Sequence, residues 1–202
     1  MLTKAEFAGR IRNACLSVIA AEHELTEIDA KFGDADHGFT MAKVCNAIIA
    51  AIEESDGGIQ TLLDDAAMAV MAINGGSAVP LWNTWLDGMQ EGAEEAEEVD
   101  VAGIKAIFAR AFEELDEMSG AKVGDKTMMD ALIPATEAIA AYEGDSEAEL
   151  FTLAAAAAAA GAENSKNFPS KYGRAKSYGA KTIGTPDAGA MSMSCFFQGL
   201  AK

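Results

Sequence analysis

The 202-residue sequence is short of base. It has 15 Lys and Arg against 32 Asp and Glu, for a net charge of −17. A chain this acidic repels nucleic acid and anionic bilayers, which excludes both as partners. Cysteine is scarce and odd in number: Cys15, Cys45 and Cys195, with no CxxC pair. That excludes a disulfide framework and CxxC redox or metal chemistry, and it predicts buried free thiols. No apolar run has the length to span a bilayer. No charged segment followed by an apolar one marks a signal peptide. Strand patterning is missing as well, because Val, Ile and Thr nowhere alternate with polar residues over a useful length. What remains is an all-α protein, expected to form one domain over residues 1–202 in the cytoplasm.

Half the residues are hydrophobic, and much of that is alanine, which suits closely packed helices. The periodicity predicts about eight of them. Thr3 and Glu6 make a capping box, and Phe7, Ile11, Cys15, Val18 and Ile19 form the first stripe. The stripe of the second is Met41, Val44, Cys45, Ile48, Ile49 and Ile52. A third helix covers about Thr61 to Ile73, and a fourth about Pro80 to Gly92. The acid-only run Glu91 to Asp100 reads as a solvated connection. Asp100 caps a fifth helix with a long apolar stripe from Val101 to Met118. Pro134 falls inside the sixth and is expected to kink it or mark its true start. Ser146 caps a seventh, which contains seven consecutive alanines, Ala154 to Ala160. A loop is expected from about Glu163 to Pro186. The last helix carries apolar residues on more than one face, which predicts a buried position or a pairing with another chain.

The densest chemistry lies in Ile28-Asp29-Ala30-Lys31-Phe32-Gly33-Asp34-Ala35-Asp36-His37-Gly38. Three carboxylates this close repel one another unless a cation sits among them. Oxygen-only ligands suit Mg2+ or Ca2+ rather than zinc, and the alternating acids of an EF-hand loop are missing. Gly38 opens a helix, so phosphate oxygens could meet its free N–H groups. A Mg2+–nucleotide site therefore competes with a plain solvated Asp/Gly turn. His37 could contact a phosphate or orient an aspartate, and His23, near a helix end, reads as structural.

Three further loops are richer in glycine and polar residues than a turn requires. Asn74-Gly75-Gly76-Ser77-Ala78-Val79-Pro80 is either an ordinary helix–helix connection or a loop whose backbone approaches a ligand, with Ser77 as a donor. Gly124-Asp125-Lys126-Thr127 is not a P-loop; its lysine either offsets phosphate charge or sits on the surface. From Lys166 to Lys181 there are five bases (Lys166, Lys171, Arg174, Lys176, Lys181) and no acid. On so acidic a chain, that local reversal suits an anionic ligand or an acidic partner, and the competing reading is plain surface charge on a mobile loop.

Together these loops resemble the nucleotide-binding L subunit of dihydroxyacetone kinases. The family's D-x4-G-D-G-D-H-G loop appears as Asp29…Gly33-Asp34-Ala35-Asp36-His37-Gly38, and its glycine–serine loop as Gly75-Gly76-Ser77-Ala78-Val79-Pro80-Leu81. Its G-D-K-T-M-x-D-A-L block is complete from Gly124 to Leu132. Its G-R-A-S-Y-x-G block is Gly173-Arg174-Ala175-Lys176-Ser177-Tyr178-Gly179, and its D-P-G-A turn is Asp187-Ala188-Gly189-Ala190. The match runs nearly the full length, in order. It departs at Ala35 and Val79, where glycine is usual, at Phe39-Thr40, where Thr-Asn is frequent, and at Ala188, where proline is usual.

The resemblance implies a barrel of eight antiparallel helices with ADP or ATP across one end. It implies two Mg2+ ions on Asp29, Asp34 and Asp36. It implies nucleotide contacts from His37, Gly38, Thr40, Ser77, Ala78, Gly120, Met129, Arg174, Asp187, Ala188 and Gly189. A separate K-type subunit would hold dihydroxyacetone or a similar short ketose. The phosphoryl group would come from exchangeable ATP or from a held ADP recharged by a phosphotransferase-system protein. A homodimer is left open. The alternative, given the substituted glycine–serine loop, is a non-catalytic nucleotide-sensing partner on the same fold.

Overall fold

The computed structural model describes residues 1–202. It contains nine α-helices: α1 (Lys4–Ala20), α2 (Glu22–Asp29), α3 (His37–Glu54), α4 (Ile59–Met71), α5 (Ala78–Glu91), α6 (Val101–Ser119), α7 (Met129–Ala141), α8 (Glu147–Asn164) and α9 (Ala188–Leu200). Eight of them close a ring, in which α1 packs on α3, each later helix on its successor, and α9 back on α1. The ninth, α2, lies outside the ring against α3 and α9. It arises because the first predicted helix breaks at Ala21 before reaching the aspartate loop. No helix is long and apolar enough to cross a membrane.

The interior is one continuous core centred on aromatic rings. Trp82 and Trp85 of α5 meet Phe196 of α9 edge-on, with centroids 5.3 and 5.4 Å apart. Helix α9, apolar all round, is accordingly buried by α1, α7 and α8. Its Gly199 lies so close to α1 that a Cβ there would stand 2.3 Å from the Ala14 Cα. Cys15 and Cys45 are buried free thiols, and Cys195 is half-buried.

Several local expectations change. Pro134 neither kinks α7 into two nor starts it, and the helix runs through it. Its missing N–H leaves the Asp130 carbonyl without a helical partner. There Gly161 of α8 packs close, and a Cβ on it would lie 2.0 Å from that oxygen. The acidic connection keeps its six acids exposed, as expected, but its backbone is also docked. Leu2–Thr3 and Glu98–Val99 form a two-residue antiparallel ladder, Val99 is buried, and Glu91 pairs with Arg110. The predicted loop after α8 is largely wound into 3-10 turns at Ser165–Asn167 and Arg174–Thr182. His23 is exposed and only 3.6 Å from Glu27, so nothing structural depends on it.

Because the ring alternates up and down, the starts of α3, α5, α7 and α9 share one end with the ends of α2, α4, α6 and α8. The glycine-rich and acidic loops are therefore brought together there, although they lie far apart in sequence.

Candidate functional site

At that end the loops enclose a cleft of about 660 Å³, the size of a site for a small organic ligand. Asp29, Asp34 and Asp36 line one wall, with His37 and Thr40 behind them. Carboxylate oxygens of the three aspartates lie within 4.8 Å of one another. Asp29 is fixed at the end of α2 by accepting from the N–H groups of Asp36 (3.1 Å) and His37 (3.4 Å). Burial, and then the Asp34 and Asp29 charges, push the Asp36 carboxyl up from its ordinary value. That residual repulsion is what a hard cation on an oxygen-only donor set relieves. The cation already present is Arg174, whose Nη2 stands 2.8 Å from Asp34 Oδ2. Ala35, between the two exposed aspartates, has φ of 60°, a conformation that suits the usual glycine better.

The opposite wall comes from Gly76, Ser77, Ala78, Leu81 and Trp82, and the floor from Lys126, Met128 and the Asp187-Ala188-Gly189 turn. No side chain caps α3 or α5. The N–H groups of Gly38, Phe39 and Ala78 make no hydrogen bond within the protein. At the other end of the ring every helix start is met. Thr3, Asp100 and Ser146 cap α1, α6 and α8, and Glu95 reaches across to accept from Gly58 (2.6 Å) and Thr61 (2.9 Å) at α4. Free N–H groups on two helix starts beside one cleft make an anion-binding surface.

Of the residues singled out in the sequence, Gly38, Gly120 and Met129 do not line the cleft. Met129 is wholly buried in the core. A Cβ on Gly38 would stand 2.0 Å from the Glu22 carbonyl, so this glycine lets α3 pack on α2. Gly120 ends α6 with φ of 62°, and it is the residues beside it, Ser119 and Ala121, that face the cleft. Periodicity did not single out Trp82, Tyr172 or Ser170 for the site, because they reach it only once the ring closes.

Lys126 is neither a surface lysine nor a free phosphate ligand. It is 4% exposed and donates to the carbonyls of Ser165 (2.9 Å), Phe168 (3.2 Å) and Thr185. It thus ties both ends of the basic segment to the floor. Asp187 caps α9 through Ala190 N at 2.8 Å. Burial, opposed by that hydrogen bond, pushes its carboxyl up to about 7. Burial pushes the Lys126 ammonium down, against the pull of Asp187 and Asp130. The basic segment is less bare than its sequence suggests. Lys166 pairs with Glu163, Lys171 with Asp125 and Arg174 with Asp34, which leaves Lys176 and Lys181 without an acidic partner.

A closed ring of helices with a carboxylate trio and two uncapped helix starts at one end defines an all-α domain with a polar cleft. Residues 31–202 match the model of the DAK2 domain, and the chain belongs to that family. It is 34% identical over 196 residues to a D-erythrulose kinase of Mycolicibacterium smegmatis, covering 94% of this chain and 34% of that one. It is 26% identical over 191 residues to the PEP-dependent dihydroxyacetone kinase, ADP-binding subunit DhaL, of Escherichia coli, covering 93% and 91%. The chain thus spans about a third of the length of the erythrulose kinase and nearly all of the E. coli subunit. The fold superposes on the dihydroxyacetone kinase of C. freundii with a TM-score of 0.73 and 25% identity, covering 98% of this chain and 34% of that one. The same kinase is known in complex with AMP-PNP and Mg2+, and that form superposes with a TM-score of 0.71.

Proposed function

We propose that the chain is the nucleotide-binding, L-type unit of a kinase acting on a short ketose, dihydroxyacetone or a four-carbon relative. Residues 1–202 act as one domain that holds ADP or ATP in the cleft. The observation that carries this is the contrast between the two ends of the ring: every helix start is met at one end, whereas at the other α3 and α5 are left uncapped beside three convergent carboxylates. Asp29, Asp34 and Asp36 would hold Mg2+, two ions on the family's pattern. Bound there, the metal would supply neutralisation of the phosphate charge. The free N–H of Ala78, which lines the cleft, orients the phosphates, with the uncapped start of α3 beside it. Arg174, whose present partner Asp34 is a proposed metal ligand, turns its guanidinium to a phosphate oxygen instead. Leu81, Trp82 and Met128 supply apolar walls that exclude water from the rest of the nucleotide.

No part of the chain is assigned to the sugar. A K-type unit would hold the ketose and meet the cleft end, where Lys176, Lys181, Tyr172 and Tyr178 are exposed. ATP, or an ADP recharged in place by a phosphotransferase-system protein, would be the phosphoryl source. The reading is tested by Asp34→Asn, which should lose most Mg-ADP affinity while keeping its circular dichroism. Unchanged affinity contradicts the assignment, and collapse of the helical signal would make the loop a folding element instead.

A further inference from the structure

Resting on this reading of the cleft, we propose that Ser192 is a positioning residue. Its hydroxyl fixes the imidazole of His37 so that Nε2 carries the proton and Nδ1 is the nitrogen offered to the ligand. His37 opens α3, and its Nε2 lies 3.1 Å from Ser192 Oγ. Ser192, near the start of α9, is wholly buried. Its hydroxyl also stands 2.9 Å from the Gly189 carbonyl.

A hydroxyl has one proton and two lone pairs, whereas a carbonyl can only accept. The Ser192 proton therefore goes to Gly189, and a lone pair faces His37. Nε2 must then bring the proton to that contact. The opposite tautomer would force Ser192 to give up Gly189. Nε2 is the ring nitrogen bonded to Ser192, and Nδ1 is not among the buried polar atoms that lack a partner. His37 lines the cleft. An unprotonated Nδ1 accepts and does not donate, so it selects a proton-bearing group of the bound ligand rather than a bare phosphate oxygen. The contact also couples the two walls, since His37 leans through its backbone on Asp29 while Ser192 belongs to the turn after Asp187.

Imidazole 15N spectra of the full chain at neutral pH test this directly. The chain has two histidines, and His23→Gln assigns the signals. The wild type should show a proton-bearing Nε2 and a bare Nδ1. Ser192→Ala should turn the His37 signal into a mixture of tautomers and weaken Mg-ADP binding roughly tenfold, the scale of loss when a partner orienting a site histidine is removed. Ser192→Thr, which keeps the hydroxyl, should restore both. A wild-type proton on Nδ1, or an unchanged tautomer in Ser192→Ala, overturns the proposal. So does a binding loss that Ser192→Thr does not rescue. If Ser192→Ala does not fold, the wild-type and Ser192→Thr spectra decide alone. Failure of the wild type to bind Mg-ADP would instead defeat the nucleotide reading, and the spectra would still judge Ser192.

Discussion

Arg174 stands between two anions, the Asp34 carboxylate that it now touches and the phosphate proposed for the cleft. Its exposed ion pair contributes little to stability, so its substitution reports on ligand rather than fold. Arg174→Lys keeps the charge but loses the planar fork that grips two oxygens at once. Mg-ADP affinity should fall about five- to tenfold with the thermal midpoint unchanged, read by calorimetry and differential scanning. Wild-type affinity in this variant would remove Arg174 from the site. Asp187 carries a different test. Its folded carboxyl titrates near 7, above the ordinary value of about 3.9. The fold therefore holds a proton that the unfolded chain releases, and this contribution is full below about pH 4 and lost as the pH rises through about 7. Asp187→Asn retains a capping oxygen and removes the titration. Relative to wild type it should gain on the order of 1 kcal/mol or more between pH 5 and pH 8 in urea midpoints. A difference that stays flat across that window contradicts the burial of this carboxyl.

Gly161 of α8 shows two element-level effects opposing each other. Alanine is favoured over glycine in a helix by about 1 kcal/mol, and the neighbouring alanine run makes Gly161→Ala look harmless. Yet the new Cβ would stand 2.0 Å from the Asp130 carbonyl oxygen and 3.2 Å from Pro134 Cγ. Backbone cannot yield as a flexible side chain can, and overpacking of this kind costs about 1–3 kcal/mol or more. The clash wins, so Gly161→Ala should lower stability by roughly 2 kcal/mol in urea denaturation, and a neutral or stabilising result refutes the close crossing of α7 and α8. The glycine's role was not legible from the sequence, because it depends on a carbonyl that Pro134 freed thirty residues earlier. The stripes of α1, α3 and α6 were legible, since each helix buries one face at regular spacing. The break at Ala21 was not, because no proline or glycine marks it. Lys126 was misread for a related reason. A lysine is buried only if carbonyls gather around it, and these come from a segment about forty to sixty residues further on. The aspartate loop was legible because its residues are consecutive, whereas Trp82 and Tyr172 join the cleft only through ring closure.

As a whole, the molecule concentrates its chemistry by alternation. Eight helices in a ring put every second connection at the same end, and that end holds the carboxylates, the open helix starts and Arg174. With a net charge of −17, it should repel a free polyphosphate unless a cation lies between them. Binding of ADP is therefore predicted to depend on Mg2+, and ligand at a hundred times its dissociation constant should stabilise the fold by about 2.7 kcal/mol. The most direct test is a calorimetric titration of the purified chain with ADP, once with millimolar Mg2+ and once in EDTA. The account predicts one saturable site with Mg2+ and at least a tenfold loss of affinity in EDTA. Equal affinity in the two buffers, or no binding in either, would contradict it.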